Sequence, residues 1–162
     1  MRMKKVFSAF IVASVGIYIF ALYYILFAGM NREMVVVSES MLDNYNYWNS
    51  INLIPFKTMM EYVTAVIDGS MRGHAIRNLL GNVFLFFPMG FYLPFFVKKT
   101  AKIEIYSIIM AVVIIVVEII QLATMSGSLD IDDFILNFAG SLIGLIVLTR
   151  TPLHGLLKLR AW

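Results

Sequence analysis

Glu118 and Gln121 stand three residues apart inside an otherwise apolar run from Ile108 to Leu122. That spacing puts both side chains on one face of a helix. A carboxyl near the centre of a bilayer costs on the order of 2.5–3.5 kcal/mol, so Glu118 must turn toward a bundle interior, a partner or a hydrated cavity. There it is a candidate general acid or base. Downstream, Asp130-Ile131-Asp132-Asp133 opens a second apolar run, and Asp133, Asn137, Gly140 and Gly144 follow an i, i+4, i+7, i+11 stripe. Asp133 is a second catalytic candidate, and with Asp130 it could hold a hard divalent cation such as Mg²⁺ or Ca²⁺ through oxygen ligands. Asp-x-Asp-Asp is a weak metal signal by itself. Capping accounts for these aspartates equally well: Asp130 has the position of an N-cap, and Asp132 and Asp133 fall in the first turn, where the helix dipole favours negative charge. Capping cannot account for Glu118. Gly140 and Gly144 have the spacing that lets a second helix approach closely. Asn78 and Asn82, four apart, share a face ahead of Pro88, which interrupts the backbone ladder.

The elements that must position these residues follow from composition. Of the 162 residues 60% are hydrophobic and 14% charged, and the mean hydropathy is +0.84. A water-exposed surface does not tolerate that balance. A membrane-spanning helix needs roughly 20 mostly apolar residues, and four such stretches are present: Val6 to Ala28, Arg77 to Val97, Ile105 to Met125 and Ile131 to Thr149. The chain therefore reads as one all-α, polytopic membrane domain over 1–162, embedded in membrane lipid. The first stretch is longer than a signal-peptide core and lacks an A-x-A cleavage site, so it reads as a retained anchor. Nine of the thirteen basic residues, Arg2, Lys4, Lys5, Lys98, Lys99, Lys102, Arg150, Lys158 and Arg160, fall on one side of a four-span arrangement. By the positive-inside rule that side, with both termini, is cytoplasmic. The long connection between spans one and two, about residues 29–76, then faces outward. In it, Pro55 disfavours helix at Ile54. Beyond that, Met59, Met60, Val63, Val66 and Ile67 oppose Lys57, Glu61, Thr64 and Asp68, the pattern of an interfacial amphipathic helix. Packing across the tops of the spans is an equal alternative.

At 1.5 Å per residue, Asn82 lies about 8 Å, Glu118 about 10 Å, and Gln121 and Asn137 each about 6 Å inside the outer ends of their spans. With Asp130 and Asp133 they form one expected binding set, a polar pocket opening outward. No Ser-His-Asp set, phosphate-cradling loop or nucleotide motif accompanies it, and His74 and His154 read as solvated. Cysteine is absent, which excludes disulfides and thiolate chemistry. A net charge of +3 without basic runs excludes nucleic acid as an expected partner.

Taken in order, Asn52-Leu53-Ile54-Pro55-Phe56, Asn78 through Asn82 running into Phe87-Pro88-Met89-Gly90, Glu118 through Gln121, and Asp130 through Asn137, Gly140 and Gly144 resemble the VanZ family of bacterial membrane proteins. The family is named for a protein conferring low-level resistance to the glycopeptide teicoplanin. The resemblance implies a bacterial cytoplasmic-membrane location and a role at the cell envelope. Two function classes follow: binding of an envelope component, such as a lipid-linked or cell-wall precursor, or an enzyme acting on one with Glu118 as general acid or base. Ion-coupled transport would need a homo-oligomer, because one lone acid in a four-span protomer has no broken-helix partner.

Overall fold

The computed structural model describes residues 2–28, 50–70, 72–153 and 155. The stretch 29–49, with Arg32, Glu33, Glu39 and Asp43, and the tail residues His154, Lys158 and Arg160 lie outside the described residues. Helix α1 covers Arg2–Tyr23 and runs on as a wider π-helical turn, Tyr24–Ala28. Strand β1 (Ile51–Asn52) precedes α2 (Lys57–Ile67), α3 (Arg72–Phe86) and α4 (Met89–Phe96). A 3-10 turn at Lys98–Ala101 leads to α5 (Ile103–Ala123), strand β2 (Leu129–Asp130) and α6 (Ile131–Arg150).

Among the described residues, four helical stretches are long and apolar enough to cross a membrane: Met3–Phe27, Ala75–Phe96, Ile103–Ala123 and Ile131–Arg150. The protein is therefore an all-α polytopic membrane protein. In the first three spans helical hydrogen bonding begins a few residues before the apolar run does, because the backbone ladder does not require apolar side chains. Arg2, Lys4 and Lys5 are thus helical although they flank the greasy segment.

The second span is two helices. Pro88 has no N–H to donate, and the chain turns there before resuming at Met89. Helix α1 satisfies part of the break: the Tyr18 hydroxyl donates to the Leu85 carbonyl at 2.8 Å, and its ring packs on Tyr92 at 5.3 Å. This is how an interrupted helix survives in lipid.

Helix α6 is the hub. Asn137, Gly140, Ser141, Gly144, Leu145 and Leu148 are all buried along it. The core on its flank comprises Phe86, Tyr106, Met110, Ile114 and Leu145. The Tyr106 hydroxyl donates to the Ser141 carbonyl at 3.1 Å, tying α5 to α6 as antiparallel neighbours. Helices α3 and α4 run parallel to α6 in close backbone contact. A Cβ built on Gly140 would run into the Val83 carbonyl, and one on Gly144 into the Phe87 carbonyl. By contrast α1 is mostly exposed, with Ile17 and Phe20 facing outward as lipid-contacting side chains do.

Candidate functional site

At one end of the bundle the two short strands pair in parallel, Ile51 against Leu129 and Asn52 against Asp130. This pairing brings the connection after span one onto the start of α6. Asp130 caps its own helix, accepting from the Asp132 N–H at 2.8 Å. Its carboxylate also accepts from Asn52 Nδ2 at 3.2 Å and from the Thr58 hydroxyl at 2.7 Å. Asp132, buried with 1% of its surface exposed, works across the fold instead. It accepts from the Phe56 N–H at 2.6 Å and the Met59 N–H at 3.0 Å, two donors that the first turn of α2 leaves without an intrahelical partner. One helix thus caps another. Phe56 sits in the left-handed region at φ 66°, unusual for a residue with a side chain, and its amide is the one held most tightly by Asp132.

The amides on α3 form a second chain of contacts. Asn78 Nδ2 donates to the Tyr62 hydroxyl, Asn82 Nδ2 donates to Asn78 Oδ1 at 3.2 Å, and Asn82 Nδ2 also donates to Asp133. Burial pushes the Tyr62 phenol above its ordinary pKa, with the Asn78 hydrogen bond acting in the opposite direction. The phenol is neutral at physiological pH.

Glu118 lies at the same end of α5, buried with 5% exposed, and accepts from the Asp130 N–H at a long 3.5 Å. Its ionisable neighbours are Asp133 and Asp130, and those of Asp133 are Asp130 and Asp132. All are acidic. One turn below Asp133, Asn137 is 3% exposed, and among the described residues its Oδ1 has no hydrogen-bond partner.

The sequence-expected residues therefore separate. Glu118, Asp130, Asp133 and Asn82 come together, and Asn137 lies beneath them. Gln121 turns away: its Nε2 donates to the Leu26 carbonyl at 3.3 Å, while its own carbonyl accepts from the Ser126 and Gly127 amides and closes α5. Asp130, weighed with Asp133 as a divalent-cation ligand, has its carboxylate oxygens engaged by Asn52, Thr58 and the Asp132 amide. Among the described residues no group of three His, Cys, Asp or Glu side chains is placed to hold a metal ion. Asn52, Thr58, Tyr62 and Asn78 belong to the cluster but were not singled out from the sequence as site residues. Asn52 heads the Asn52–Phe56 motif and Asn78 shares a face with Asn82; both were available signals, whereas Thr58 and Tyr62 carried none.

No curated protein and no solved structure matches the chain. The model of the VanZ/LLP1 family matches residues 15–153, which runs from midway along the first span through the other three and takes in every residue of this cluster, and the chain belongs to the VanZ-like family.

Proposed function

We propose that this protein, from a family linked broadly to glycopeptide resistance, binds a cell-envelope component at the Asp130 end of its bundle through a polar pocket on Glu118, Asp133 and Asn137. The carrying observation is an excess of acceptors. Among the described residues Glu118 accepts one long hydrogen bond and Asp133 one from Asn82, while the buried Asn137 Oδ1 accepts none. Buried polar atoms are ordinarily paired, and an unpaired one costs about 1–3 kcal/mol. A ligand group rich in donors, an amine or a set of hydroxyls on a lipid-linked or cell-wall precursor, is complementary to this arrangement.

The test is mass spectrometry of the envelope components that copurify with the protein, comparing wild type with Glu118→Gln and Asp133→Asn at equal membrane abundance. Both variants exchange an acceptor oxygen for a donor without changing size. A component retained by the wild type and lost from both variants is the expected result. Equal retention by all three would overturn the reading. Conversion of the retained component by wild type alone would identify an enzyme, with Glu118 as its acid or base.

The same reading requires the pocket to open outward, with both termini in the cytoplasm; the basic residues on the opposite side support this. The chain has no native cysteine, so single cysteines report without background. Ser128 and Lys99 are exposed at opposite ends of the bundle, whereas Thr100 next to Lys99 is fully buried and unsuitable. Ser128→Cys should react with a membrane-impermeant maleimide in intact cells, and Lys99→Cys only after permeabilisation. The reverse pattern would put the acids in the cytoplasm and remove the envelope reading.

A further inference from the structure

Helix α2 has three faces rather than two. Thr58, Met59, Tyr62 and Val66 face the bundle, all partly buried, with Thr58 on Asp130 and Tyr62 on Asn78. Phe56, Met60, Val63 and Ile67 lie at i, i+4, i+7 and i+11 and form an apolar stripe that the bundle does not cover, with Met60 63% and Ile67 77% exposed. Lys57, Glu61, Thr64 and Asp68 repeat that spacing one residue later and form an exposed polar stripe, rotated by roughly 100°. Just before the helix, Leu53 and Ile54 extend the apolar surface, exposed by 64% and 62%. A helix at the edge of a soluble domain needs one apolar and one polar face. A third, apolar and uncovered, calls for a third medium.

Two observations identify that medium. Asp132, in the first turn of a helix long and apolar enough to span a membrane, holds the Phe56 and Met59 amides, which fixes the start of α2 beside the end of that span. The second span, which packs on α2 through Asn78 and Tyr62, also turns apolar side chains outward, with Leu80 and Phe84 51% and 63% exposed. We propose that residues 53–67 are a lipid-seated wedge, with Leu53, Ile54, Phe56, Met60, Val63 and Ile67 in the acyl-chain boundary of the adjacent leaflet and the Lys57–Asp68 stripe in water. Burying such a stripe supplies the apolar area that holds an interfacial helix on a bilayer. Asp130 and Asp132 secure the wedge from the bundle side, so the leaflet and the acid cluster grip the same short segment. This holds whether or not the cluster binds an envelope component.

Site-directed spin labelling of the full chain in phospholipid nanodiscs tests it. Labels on Met60→Cys, Val63→Cys and Ile67→Cys should collide with oxygen in preference to a water-soluble nickel chelate, and labels on Lys57→Cys and Glu61→Cys should show the opposite preference, the two sets differing several-fold. All five side chains are exposed, so none carries the fold. Nickel-accessible labels at positions 60 and 67 would put the stripe in water and overturn the proposal. Low accessibility to both reagents, with dipolar broadening between labels, would put a second copy of the chain on the stripe and overturn it as well.

Discussion

Gly140→Ala should collapse the packing of α3 on α6, with a loss of at least about 3 kcal/mol and a fall in melting temperature of about 10 °C. The added methyl meets backbone, not a side chain that can swing aside: the Val83 carbonyl, its carbon and its Cα all lie within the space a Cβ would need. Helices in lipid have no hydrophobic force drawing them together, so close van der Waals approach at small residues carries much of their association. Gly81 provides the control. It is exposed on α3 with nothing within 4 Å of an added Cβ, so Gly81→Ala should be neutral or stabilising by about 0.5–1 kcal/mol. Thermal unfolding of the two variants in the same detergent, followed by size-exclusion chromatography, separates them. Equal melting temperatures for Gly140→Ala and Gly81→Ala would refute the close contact.

Asp132→Ala should release the start of α2 while leaving the four spans assembled. Two amides, on Phe56 and Met59, would lose a carboxylate acceptor, and hydrogen bonds to a charged group contribute about 1.5–3 kcal/mol each. The local loss should therefore reach about 3–5 kcal/mol. Release also lets Phe56 leave the left-handed region, which makes the open state more favourable still. Hydrogen exchange at Phe56 and Met59 is the measurement. Both amides should exchange orders of magnitude faster than in wild type, while Tyr106 and Ile114 in the α5 core keep their protection. Asp132→Asn should fall between, since the amide retains one acceptor oxygen but turns a donor toward a second N–H. Unchanged exchange at Phe56 in Asp132→Ala would mean that strand pairing with Leu129 and the Asn52 and Thr58 contacts hold the segment unaided.

The medium and the four spans could be read from the sequence without a structure. Spans are legible because helix periodicity and apolar length are local properties, set by residues within one or two turns of each other. For the same reason the N-cap geometry of Asp130 and the amphipathic character of residues 57–67 could be read directly. Depth could also be read, since a fixed rise per residue places Glu118, Asn82 and Asp133 toward one end of the bundle. What each polar group touches depends on the assembled bundle. Apart from the Asp132 amide that Asp130 caps, the donors to Asp130 and Asp132 come from positions 72 to 78 residues away, and Gln121 is drawn off by a carbonyl 95 residues away. Hydrogen bonding is short-ranged and directional, so side chains that share a helix face in sequence can end with different partners. Asp132, read as one of two first-turn aspartates on its own helix, caps a different helix, and the second stripe of α2 became visible only once the bundle had claimed the first.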